Sequence, residues 1–188
     1  AAAAAGAAAA AAGTVTAPSI ILNEPNSRLV FNHTNSGLTV GATIGGAGRF
    51  LHRSGTTVLT SANSGGSRVN GGVEISGGTV LSNGSFRASI VAVQTGGTLG
   101  GSGTVEALVA VTDGIIAPDS NGVGTLRLGN LTLTSASVLN FELGAPGNPG
   151  VGSDLITLGT INGGGNLTLD GTLNVSNAGG FGAGLYRL

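Results

Sequence analysis

The 188-residue sequence has no Cys, no Met and no Trp, and all seven of its basic residues are Arg. Lack of Cys removes disulfide frameworks and thiolate metal sites. Lack of Lys removes the phosphate-loop lysine of nucleotide-binding folds. Charged residues make up 8% of the chain and aromatics 3%. A typical globular domain carries about 25% charge, so this surface must be covered largely by Thr, Ser, Asn and Gly. The net charge of −1 offers no basic stripe for nucleic acid and no attraction to anionic membrane. Outside the alanine-rich start, no apolar run approaches the ~18 residues needed to span a bilayer. With two histidines and no thiol, no zinc site is expected.

Ala1 to Ala12, broken only by Gly6 and closed by Gly13, form a low-complexity start. A secretory signal would show a basic segment followed by a mixed apolar one, and neither is present. We read residues 1–13 as placeholders for unassigned side chains, the alternative being a real alanine-rich helix. Residues 14–188 are read as one elongated domain, with a repeat-like block at 45–84 and a second block at 96–158.

What the chain has in abundance is glycine, 37 residues, set between short β-branched and aliphatic clusters. Such clusters bounded by Gly, Asn and Ser are strand-and-turn text. Strands are expected at Thr14–Thr16, Ser19–Leu22, Leu29–Phe31, Leu38–Val40, Arg49–Leu51, Thr57–Leu59, Val73–Ile75 and Thr79–Leu81. Further ones are expected at Ala88–Val93, Leu108–Val111, Ile115–Ala117, Thr125–Leu128, Leu131–Leu133, Val138–Leu143, Leu155–Leu158, Leu167–Leu169 and Leu173–Val175. Leu139-Asn140-Phe141-Glu142-Leu143 alternates with period 2, one face inward. Helical spacing is nearly absent outside the alanine run. The Pro-Gly-Asn-Pro-Gly run at Pro146–Gly150 is expected to protrude as a loop.

These pieces repeat. Gly77-Gly78-Thr79-Val80 returns as Gly96-Gly97-Thr98-Leu99 after 19 positions. Gly129-Asn130-Leu131-Thr132-Leu133 returns as Gly165-Asn166-Leu167-Thr168-Leu169 after 36, read as about two such steps. A period near 20 indicates short strands coiled into a stack, because one rung cannot bury its apolar face alone. The expectation is an all-β, parallel β-helix (β-solenoid) of about eight rungs.

The stretch Gly55-Thr56-Thr57-Val58-Leu59 through Gly77-Gly78-Thr79-Val80-Leu81 resembles the passenger-associated repeat of bacterial autotransporters. The following Gly96-Gly97-Thr98-Leu99-Gly100-Gly101-Ser102-Gly103-Thr104-Val105 is similar to the segment that succeeds that repeat. The resemblance covers about positions 45 to 176. Asp119 stands where the family usually has Gly after Pro118, and Asn63-Ser64-Gly65 replaces the usual Tyr-Thr-Gly turn. Text of the family's C-terminal membrane barrel is not found, so the chain corresponds to passenger material. The resemblance implies a right-handed parallel β-helix, extracellular or displayed on a bacterial surface.

Candidate chemistry is sparse. Residues one rung apart can stack, which makes Asp154 with Asp170, or Glu74 with Glu106, conceivable carboxylate pairs. Against this, Asp113-Gly114 and Asp170-Gly171 read as turn dipeptides, and Asp119 and Asp154 as loop residues. His52, beside Arg49 and Arg53, suggests a small basic spot, and His33 in an Asn-rich turn is expected to be solvated. The five Phe and Tyr186 are read as core stackers. Corner asparagines (Asn70, Asn83, Asn121, Asn130, Asn166) are read as ladder formers. No catalytic, cofactor-binding or metal-binding residue is assigned. The expected function is a non-catalytic surface-exposed or secreted structural or adhesin segment. The alternatives are a self-assembling extracellular filament or biofilm-matrix subunit and, third, a polysaccharide-cleaving enzyme. Expected partners are the chain itself, by end-to-end or lateral stacking, or other cell-surface components.

Overall fold

The computed structural model describes residues 17–61, 68–119, 122–147, 152–159 and 165–188. The alanine-rich start, Thr14–Thr16, the Asn63-Ser64-Gly65 turn, Asn121 and the end of the Pro146–Gly150 loop lie outside the described residues. Among the described residues there is no helix, and the named ladders are parallel. The all-β solenoid expectation therefore holds.

Two sheets run side by side. The first stacks, in order, Arg28–Asn32, Arg49–Ser54, Val73–Ile75, Ser85–Val93, Thr104–Val111, Thr125–Leu133 and Leu155–Leu158. The second stacks Leu38–Val40, Thr56–Leu59, Gly78–Ser82, Gly97–Gly101, Ile115–Pro118, Val138–Leu143 and Thr172–Asn177. Among the described residues each path holds seven strands rather than the eight rungs expected. A short third side appears early, where Ser19–Leu22 pairs with Thr43–Gly46. It continues as single bridges, Gly46 to Val69 and Val69 to Ala88. From Ser85 onward that side is absorbed into the long strands of the first sheet. Their register shifts between Glu106 and Leu108 against Ser85–Val93 mark the bend.

The 19-residue repeat is the ladder itself: Gly97 pairs with Gly78, Thr98 with Thr79 and Leu99 with Val80. A Cβ on Gly97 would lie 2.2 Å from the Ile75 carbonyl oxygen, so this corner admits only glycine without a backbone shift. The 36-residue repeat is different. Leu131 pairs directly with Leu167 and Thr132 with Thr168, so 36 positions make one step, not two. Two excursions, after Leu143 and after Leu158, use up the extra chain.

Period-2 alternation fills the interior. Inward residues stack coil over coil, as in the column Val80, Leu99, Ile116, Leu139 and Leu173. Exposure along that column is 2%, 2%, 0%, 9% and then 43%. Each fully buried Leu or Ile contributes about 1.5–3 kcal/mol. Phe31, Phe50 and Phe86 form an aromatic stack, with ring centroids 5.2 Å and 6.2 Å apart. Phe181 departs from the expected core role at 47% exposed, whereas Tyr186, 5.3 Å from it, is partly buried against the core.

Candidate functional site

Both histidines lie in the interior. Leu29, Phe31 and His33 occupy alternate positions, as do Phe50 and His52, so the rings inherit the inward face of their strands. His33 is 3% exposed and His52 is fully buried, which corrects the expectation of a solvated His33 and of a basic spot at His52. Arg49 and Arg53 take the outward positions of the same strand. The signal was present in the alternation, but Asn32-His33-Thr34-Asn35 reads as a polar turn.

One threonine joins the two rings. His33 Nε2 lies 2.9 Å from Thr57 Oγ1, and His52 Nε2 lies 3.1 Å from the same oxygen. The Asn35 backbone N–H donates to His33 Nδ1 at 3.2 Å, and His52 Nδ1 lies 2.8 Å from the Gly77 carbonyl oxygen. Gly55 turns the chain beneath His33 at φ +82°, and a Cβ there would lie 2.2 Å from Nδ1. Burial lowers both histidine pKa values below the ordinary 6.5; for His52 the Gly77 bond opposes the shift and the His33 charge adds to it.

A second polar cluster sits toward the other end. Asp154, expected in a loop, is 1% exposed. Its Oδ1 accepts from the Gly124 N–H at 2.8 Å and its Oδ2 from the Glu142 N–H at 2.7 Å. Next to it, Ser153 Oγ accepts from the Gly144 N–H at 2.9 Å. These bonds latch the excursion after Leu143 back onto the solenoid. Burial pushes the Asp154 pKa from 3.8 to about 6; the two backbone donors oppose this, and the Glu142 and Asp119 charges add to it. The three acids border a recess of about 420 Å³ on the second sheet, together with Thr98, Ala117 and Asn140. Asp119 has φ +40°, the one positive value of a non-glycine among the described residues. That is the conformation a Gly would hold there, as the family pattern after Pro118 implies.

The carboxylate pairs considered from sequence do not form. Glu106 stacks on Arg87, with Arg87 Nε 2.9 Å from its carboxylate. Glu74 stands between Leu51 and Ala92 in the ladder. Asp170 accepts from its neighbour Gly171 and Asp113 from Thr95, as turn residues do. Among the described residues no group of three His, Asp or Glu is placed to hold a metal ion. Asparagine stacking occurs at Asn130–Asn166, where Asn130 Oδ1 accepts from the Asn166 N–H at 2.9 Å, and at Asn140–Asn174, at 3.0 Å. An apolar groove of about 320 Å³ opens beside the last coil, lined by Leu131, Leu139, Ile156, Leu158, Leu167 and Leu173 among others.

No protein-family model matches the chain, and no solved structure matches it. It is 42% identical, over 192 residues and 98% of its length, to the Adhesin BmaC autotransporter of Brucella suis biovar 1 (strain 1330). The chain spans 5% of that protein's length. The similarity runs along nearly the whole chain and falls on parallel coils that carry the glycine-corner repeat, a β-solenoid consistent with a passenger segment of an autotransporter.

Proposed function

We propose that the chain is a non-catalytic, adhesin-like segment displayed at a bacterial cell surface, where it contacts other surface components. The carrying observation is the near-full-length similarity to a protein named as an autotransporter adhesin, on a parallel solenoid. The physics suits a presenting scaffold: stability adds coil by coil. The scarcity of charge leaves hydroxyls and amides as the outer contact groups. Both oxygens of Asp154 are held by backbone donors, which favours a structural role for this carboxylate. The test is display of the chain on a heterologous outer-membrane barrel, scored for attachment to cultured cells and for glycan cleavage. Attachment above that of the barrel alone, without cleavage, is the expected result. Cleavage that disappears in Asp119→Asn or Glu142→Gln overturns the reading.

A further inference from the structure

We propose that His33, Thr57 and His52 form an acid-released staple that holds three successive coils together at neutral pH and lets that corner open on protonation. The inference goes beyond the adhesin reading and does not depend on it. Its first support is that the bonding partners at the two ends allow one arrangement of protons. The Gly77 carbonyl only accepts, so His52 carries its proton on Nδ1 and presents a bare Nε2. The Asn35 N–H only donates, so His33 Nδ1 is bare and its proton sits on Nε2. Thr57 Oγ1 then accepts from His33 Nε2–H and donates to His52 Nε2. The chain of bonds is fully matched only while both rings are neutral.

One added proton breaks the match at either ring. A second proton on His33 sets Nδ1–H against the Asn35 N–H. A second proton on His52 sets Nε2–H toward Thr57 Oγ1, whose own hydrogen then has no acceptor in the chain. The ring centroids are 5.9 Å apart, so two charged rings also repel. The strands packed around the pair carry Arg28, Arg49, Arg53 and Glu74 as charged groups, all at outward positions of the alternation. No carboxylate of those strands therefore faces the rings to stabilise a charge. The ties run from Asn35 and His33 through Thr57 and His52 to Gly77, so their loss frees one corner of three coils at once.

The sign follows from the lowered histidine pKa values: the stabilisation is present above the ordinary 6.5 and is lost as pH falls through it toward the folded-state values. Asp154, with its raised pKa, gains as pH falls through about 6, so acid loosens the staple's coils and not the coils beyond it. Hydrogen exchange of the full chain at pH 7.5 and pH 5.0, corrected for intrinsic amide rates, tests this. Opening at Phe50–Ser54 and Val73–Ile75 is expected to rise about tenfold per pH unit for one linked proton and about a hundredfold for two. Amides of Gly97–Gly101 and of residues 115–117 are not expected to open more at pH 5.0; their opening stays level or falls, because Asp154 borders the same recess and gains on protonation. His33→Gln/His52→Gln is expected to abolish the pH dependence. Should that variant not fold, ring ¹⁵N shifts of the unaltered protein decide: Nδ1–H at His52, Nε2–H at His33, and titration below 6.5 at both. Uniform protection at both pH values, loss at all coils together, or a histidine titrating at or above 6.5 overturns the proposal.

Discussion

Near the start of the solenoid, three uncharged buried side chains tie three coils together through a relay of directed hydrogen bonds. Toward the other end, a single buried carboxylate ties an excursion down with two backbone donors. They differ in what a proton does. The histidine relay is matched only when neutral, whereas burial makes the neutral form of Asp154 the more comfortable one. A repetitive stack can thus carry local, oppositely poised responses without any departure from its ladder, because each coil touches only its neighbours.

The sharpest way to break the comparison is Asp154→Asn. An amide group cannot accept from both N–H donors, and the cost is expected at about 3 kcal/mol, the upper end of the scale for a buried donor left unpaired. Urea midpoints across pH read both that loss and its sign. The raised pKa contributes stability that is complete below 3.8 and is lost as pH rises through about 6, and the substitution flattens that profile. Thr57→Val comes next, at about 2 kcal/mol, since it keeps the shape and leaves buried ring nitrogens unpaired. Its loss is expected to shrink as pH falls from 6.5 toward the lowered folded-state histidine values, where the relay breaks. Gly55→Ala is expected to cost about 1–2 kcal/mol from its positive φ and the displaced His33 ring. A double-mutant cycle with His33→Ala separates the two parts, since only the ring part disappears. Smallest is Glu106→Gln at under about 1 kcal/mol, because both partners of the Arg87 pair are partly exposed. Added salt is expected to mimic it.

Strand positions were legible wherever the code was local. Leu38–Val40, Val73–Ile75, Val138–Leu143 and Leu155–Leu158 lie where alternation and flanking glycines place them. The Gly78–Gly97 register was legible because both corners carry the same four-residue text. Thr43–Gly46 was not, since Ile44 is its one large apolar residue and its pairing partner lies 24 positions earlier. The Gly129 to Gly165 step misled because the length of an excursion is invisible to a period counted along the chain. His33 was hidden for a related reason: a polar neighbourhood in sequence became a buried one in space once the Phe31 ring packed edge-on against it. Asp154 carried no local sign of burial, for its two donors come from residues 30 and 12 positions away.

The glycine corners have a consequence for how such a chain can change in length over generations. At Gly77, Gly97 and Gly103, an added Cβ would lie 2.2 Å from a carbonyl oxygen of the coil beneath. A one-residue slip upstream would bring a side chain into that gap and jam the stack. Copying or deleting a whole coil returns a glycine to the same place and leaves every ladder intact. Genetic variation in this architecture is therefore quantised: unequal recombination can lengthen or shorten it by coils, while residues inserted singly accumulate only in excursions such as the one after Leu143.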